Sequence, residues 1–186
     1  MSMFWLATRA TGEVALVLLT LVTVLGIATT KGWAHERWPE SVITLVHRNV
    51  SLLSVVFLVV HIGTTILDGY VPISWIDVIV PGQTTYKPLW IGLGTLAIDL
   101  LIAVIITSLL RHRIQQRWWK AIHWTAYLLW ASAIAHAIGA GTDRTLTLLV
   151  AITSVTTVAV AFVARAFTPH RSDDPGVTLV ETRFPR

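Results

Sequence analysis

Four histidines stand inside apolar stretches of the chain: His47 and His61 in LVHRNVSLLSVVFLVVHIG, and His123 and His136 in KAIHWTAYLLWASAIAHAIG. Ionisable side chains within an apolar span are costly and tend to mark functional positions. The first two lie fourteen residues apart and the second two thirteen. On a helix either spacing is about 20 Å of rise. If both stretches run in the same direction, His47 is level with His123, and His61 with His136. Each level then offers one imidazole from each helix. Two imidazoles facing each other across a gap can ligate a haem iron axially, and two stacked haems make an electron wire across a bilayer. Fourteen residues return His61 to within about 40° of His47, whereas thirteen leave His136 about 140° from His123 on an ideal helix. The second pair therefore requires a distorted or tilted helix, or approach from different sides. The plainer reading of any one of them is a buried histidine bonded to a carbonyl or a hydroxyl. Two matched pairs at equal depth weigh against that for the set.

The elements that must position these side chains follow from composition. The chain has 186 residues, 54% hydrophobic and 13% charged, with a mean hydropathy of +0.69. A soluble domain carries about 25% charged residues, so this chain reads as an all-α integral membrane bundle whose first partner is the lipid bilayer. Five stretches are long and apolar enough to cross, at about 20 residues each: 11–30, 42–66, 89–110, 119–140 and 145–167. The first exceeds the length of a signal-peptide core and is expected to persist as a helix. Segment 67–88 is long for a connection and reads as an outer loop or short interfacial helix capping the bundle. The polar stretch 168–186 reads as a disordered cytoplasmic tail, leaving 1–167 as the membrane domain.

Charge and cysteine usage narrow the chemistry. There is no cysteine, and the methionines are Met1 and Met3. That excludes disulfides, thiolate-bound clusters, covalent haem attachment and zinc–thiolate sites, and leaves histidine as the metal ligand. The net charge of +4 reads as a basic cytoplasmic face, with no nucleic-acid partner. Eleven of the fourteen Lys and Arg residues fall on one side, including Arg48, Arg111, Arg113, Arg117, Lys120 and Arg165. Arg9, Lys87 and Arg144 fall on the other. The positive-inside rule puts the C-terminus in the cytoplasm and the N-terminus outside.

The pairing of H-x13-H on one span with H-x12-H on a later one resembles the ferric reductase-like transmembrane domain. That superfamily includes ferric reductases, NADPH oxidases and the haem-binding membrane subunit of bacterial methionine sulfoxide reductase systems. HRNVSLLSVVFLVVH, WWKAIHWTAYLLWASAIAH and PLWIGLGTLAIDL look like its short bacterial members. The resemblance covers most of 1–167 and implies two non-covalent b-type haems. His47 and His123 would ligate the inner one, His61 and His136 the outer one, and the family shows the same uneven spacing. It implies a protein of the bacterial cytoplasmic membrane, and electron flow from inside to outside. The sequence departs from the pattern in having five spans where many members have six. It carries no Gly-rich phosphate loop after the fifth, so the expected electron donor is a separate redox protein, a free flavin or a quinol. The outer acceptor would be ferric iron, oxygen or a periplasmic reductase.

Several other residues attach to this scheme, each with a plainer alternative. Arg48, Arg117 and Lys120 could pair with anionic haem propionates at the inner level, or simply follow the positive-inside bias. Arg9 could do the same at the outer level. Trp130, midway along the fourth span, could fill the space between two haems, or pack as core. Asp99 is a carboxyl at mid-membrane that could hold a histidine's outer N–H. Glu13 is expected to reach water. Trp5, Trp33, Trp38, Trp75, Trp90, Trp118 and Trp119 fall near span ends, as interfacial anchors do. Two competing functions remain: a transporter whose histidines relay protons, and a cofactor-free structural membrane subunit.

Overall fold

A computed structural model describes residues 2–29, 39–69 and 71–167. Within them the chain forms α1 (Met3–Thr29), α2 (Glu40–Asp68), a short α3 (Trp75–Ile79), α4 (Pro88–Leu109), α5 (Gln116–Ala140) and α6 (Arg144–Phe167). The five long helices fall where the five apolar stretches do. By length and composition α1, α2, α4 and α6 could each cross a membrane. The fifth, α5, has the length, at 25 residues. It is more polar, because it carries Arg117, Lys120 and both histidines of the second pair. The expected tail at 168–186, together with Lys31, Trp33, Arg37 and Trp38, lies outside the described residues.

Local chemistry sets the helix ends. The first helix begins eight residues before the apolar run, because Ser2 caps it. Its hydroxyl accepts from the Trp5 N–H at 3.0 Å and donates to the Asp68 carboxylate at the far end of α2. Pro39 precedes α2 in extended conformation, and Gly69 ends it at φ +63°, where a side chain would be strained. Pro88 opens α4 at its first turn, where a missing N–H costs nothing. Asp143 caps α6 by accepting from the Leu146 N–H at 3.2 Å.

Packing is pairwise. The α1–α2 and α4–α5 pairs are the closest, and α1 also meets α5 and α6. By contrast α2 and α5, which carry the histidines, are not closely packed backbone to backbone, and side chains of both line one slot-like cavity. Small residues let the helices approach, as in membranes generally. On α6 the buried seam is Thr147, Ala151, Ser154, Val158 and Ala161, and alternating steps of four and three keep it on one face. Leu16, Ile134 and Ala151 form one buried cluster; Ile27, Val158 and Ala161 form another. Outward, α2 exposes Leu52, Leu53, Val56, Val59 and Val60, a surface suited to lipid and not to water.

The capping segment contains the short helix that its length suggested. Asp77 closes the first turn of α3, accepting from the Ser74 N–H at 2.7 Å and the Ser74 hydroxyl at 2.8 Å. Thr95 on α4 donates to the Asp77 carbonyl at 2.6 Å, which pins the cap down. Gly82 follows in a left-handed turn at φ +83°. Its backbone passes so close to α4 that a Cβ at Gly92 would stand 3.1 Å from the Gly82 nitrogen.

Candidate functional site

Three of the four histidines are held the same way. His61 Nδ1 lies 2.8 Å from the Thr8 carbonyl of α1. His47 Nδ1 lies 3.1 Å from the Val22 carbonyl, also of α1. His136 Nδ1 lies 2.9 Å from the Trp90 carbonyl of α4. A carbonyl can only accept, so each Nδ1 carries the proton and donates it. The other nitrogen, Nε2, then holds a free lone pair, which is the tautomer a metal requires. Among the described residues no hydrogen bond reaches any of the four Nε2 atoms.

The outer pair comes together. The His61 and His136 rings have centroids 6.4 Å apart and planes crossed at 83°. Two imidazoles on opposite sides of one metal, each nitrogen about 2 Å from it, put their centroids roughly 6 Å apart. The two sit in a cavity of about 290 Å³ under the α3 cap, whose walls include Leu58, Ile62, Ile98, Leu129 and Ala133. Such a mostly apolar pocket with a few convergent polar groups suits a large planar cofactor. Among the described residues no three His, Cys, Asp or Glu side chains cluster as a metal site. His61 and His136, each with a free nitrogen, are the residues that would hold a metal already carried by a cofactor.

The inner pair is less complete. No ring contact joins His47 and His123 among the described residues. His123 instead stacks on Trp119, centroids 4.9 Å apart and planes at 21°. The Arg111 guanidinium also lies over that indole, at 4.6 Å. Both the His123 Nδ1 and the Trp119 Nε1 are buried without a hydrogen-bond partner. Trp119, expected at the lipid interface, is thus part of the histidine's surroundings. Arg111 is the cation beside it. Arg48 is exposed next to Ser41, Thr44 and Leu45, and Arg117 lies over the exposed Trp118.

Glu13 differs from its sequence reading, and Arg9 has a partner that the sequence did not suggest. Glu13, expected to reach water, accepts from the Thr147 hydroxyl at 2.7 Å and keeps its other oxygen buried and unpaired, in the cavity wall. Arg9 lines the same cavity. It is tied to Asp143 at 2.8 Å and lies over Trp5 at 4.5 Å. The Leu146 N–H first, and the Arg9 guanidinium second, hold the Asp143 carboxyl below the usual carboxylate range. Neither tie leaves a local signal, since Arg9 and Asp143 are separated by 134 positions.

Trp130 occupies the junction of α1, α5 and α6. Its indole touches both core clusters and donates to the Thr20 hydroxyl at 3.1 Å. Asp99 is half-buried on α4.

Residues 11–138 match the family described as ferric reductase like transmembrane component. The matched range takes in all four histidines, the cap and most of the cavity wall. Neither the curated proteins nor the solved structures yield a match to the chain.

Proposed function

The chain belongs to the ferric reductase-like transmembrane family, and from that premise we propose that it is a di-haem b-type electron-transfer subunit of the bacterial cytoplasmic membrane. The family and the apolar helices support a membrane redox role. The observation that carries the haem reading is the outer pair, His61 and His136. Both Nδ1 atoms are committed to carbonyls, both Nε2 lone pairs are free, and the rings stand at the spacing of two axial ligands. Haem, when bound, supplies one-electron redox chemistry.

The chain's own residues do the rest. His61 and His136 would hold the outer haem, His47 and His123 the inner one. Carbonyl bonds to the three anchored imidazoles raise their basicity as ligands and fix their tautomer. The apolar walls keep water away, and Arg9 and Arg111 stand where each could face an anionic propionate. Trp130 lies on α5 between its two histidines. The positive-inside bias puts the His47–His123 end toward the cytoplasm. Electrons from a flavin, a quinol or a separate redox protein would enter there, and leave at the outer cavity for ferric iron or a periplasmic reductase.

A proton-relay transporter fits less well. Relay through an imidazole takes a proton on one nitrogen and releases it from the other. In three of the four, one nitrogen is already tied to a helix carbonyl. All four histidines also lie within continuous helices, not in the broken segments that line transport sites.

The test is electron transfer in sealed vesicles. With an impermeant reductant outside and ferricyanide trapped inside, vesicles holding the wild-type protein should bleach the ferricyanide. Those holding His61→Ala should not. Haem-loaded wild type that leaves the trapped oxidant untouched would overturn the reading.

A further inference from the structure

Three of the histidines share more than a carbonyl. Thr8, Val22 and Trp90 each precede a helix glycine by four residues: Gly12, Gly26 and Gly94. In a helix the carbonyl of one residue accepts from the N–H four residues on. Each imidazole therefore donates to a carbonyl that the helix pattern also gives to a glycine N–H; the Thr8 carbonyl accepts the Thr11 hydroxyl as well, at the longer distance of 3.3 Å. Each ring fills the space over its glycine where a side chain would stand. A Cβ at Gly94 would meet His136 Nδ1 at 2.6 Å, and one at Gly12 would meet His61 Nδ1 and Cε1 at 2.8 Å. At Gly26 the nearest His47 atom would be 3.5 Å away, an ordinary contact. The first two seats admit no methyl group while the ring stays bonded; the third does.

The fourth seat is filled differently. α4 and α5 run antiparallel, so stepping back thirteen residues from His136 to His123 means stepping forward thirteen on α4. That leads from Trp90 and Gly94 to Ala103 and Thr107. There the Thr107 hydroxyl itself donates to the Ala103 carbonyl at 2.7 Å. The lone pair that His123 would use is engaged, and its Nδ1 is left buried without a partner.

We propose that Gly12 and Gly94, with the carbonyls of Thr8 and Trp90, are positioning residues that lock the two outer imidazoles in crossed planes, while His123, seated on Trp119, is the one ligand free to turn. This rests on the di-haem reading. Its consequence is spectroscopic. Crossed axial imidazoles leave two d orbitals of a low-spin ferric iron nearly equal in energy, and the electron paramagnetic resonance signal becomes strongly anisotropic. Parallel planes split those orbitals and give a rhombic signal.

The experiment is low-temperature resonance spectroscopy on the oxidised protein, with haem per chain counted on the same sample. Wild type should show a strongly anisotropic low-spin signal. Gly94→Ala should shift or abolish it while the remaining haem signal stays unchanged, and Gly26→Ala should leave both as they are. Gly12→Ala repeats the test from the other ligand should Gly94→Ala not accumulate. Rhombic signals alone in wild type would overturn the proposal. So would a Gly26→Ala effect equal to that of Gly94→Ala, or a Gly94→Ala spectrum identical to wild type. A haem count of zero in folded wild type would instead sink the functional reading beneath it.

Discussion

The two ends of the histidine slot are built by different means. At the outer end both imidazoles are pinned to neighbouring helices, their rings stand 6.4 Å apart in crossed planes, and both line one cavity. At the inner end His47 is pinned in the same way. His123 instead lies against a tryptophan of its own helix, with a guanidinium also over that indole. The backbone explains the contrast. In each of the three cases the helix seats the imidazole at a carbonyl four residues before a glycine, and at Gly12 and Gly94 the close approach leaves no room for a side chain. α1 supplies two such places, fourteen residues apart like the α2 histidines they receive, and α4 supplies one. On the di-haem reading the outer site would be preformed, and the inner one would need the His123 ring to reorient.

The comparison can be broken most severely by removing a ligand. His61→Ala or His136→Ala should abolish the outer haem and leave the inner, so haem per chain falls from about two to about one. Pyridine haemochrome counting measures this. His123→Ala should do the reverse. If either outer variant removed both haems from a folded protein, the ends would not be independent.

Next in size is Gly139→Ala. The Trp90 indole lies directly against Gly139, leaving no space for a methyl group. Trp90 also supplies the carbonyl that holds His136. Overpacking of this kind costs about 1–3 kcal/mol. The thermal midpoint in detergent should fall and the outer haem should loosen, with the inner spectrum unchanged.

How much of this was legible in the sequence divides along physical lines. The apolar runs gave five helices to within a few residues, because burial in lipid demands a continuous stretch. The exception was the start of α1, where the cap at Ser2 carries the helix past Arg9. Histidine type and depth pointed to His61 and His136, whose rings approach each other, while His47 and His123 make no ring contact among the described residues. What could not be read were contacts between remote backbones: the carbonyl seats, the Arg9–Asp143 tie, and the buried Glu13 oxygen. A glycine in a membrane helix looks the same in sequence whether it faces a histidine or lipid. Trp119 was misread for a related reason, since tryptophans near span ends usually face the interface.

Smaller effects sharpen the comparison. Thr20→Val removes the hydroxyl that accepts from Trp130 and should cost about 1 kcal/mol. Because that indole bridges both core clusters, the thermal midpoint should drop without favouring either haem. A selective loss of one haem would show that Trp130 serves one end only.

The smallest effect belongs to Asp143. Its carboxyl is held below its usual range in the folded protein, so its contribution is present at neutral pH and lost as pH falls through that lowered value. Asp143→Asn keeps a capping oxygen but gives up the charge opposite Arg9. Its thermal midpoint should lie slightly below wild type near pH 7, and the gap should close as pH falls below the ordinary carboxylate range.

The central claim is that these four histidines hold two haems. It is tested most directly by the absorbance of the purified protein, oxidised and dithionite-reduced, with haem counted per chain. A low-spin bis-histidine b-type spectrum at about two haems per chain is the expected result. Folded protein, produced with ample haem, that carries none would contradict it.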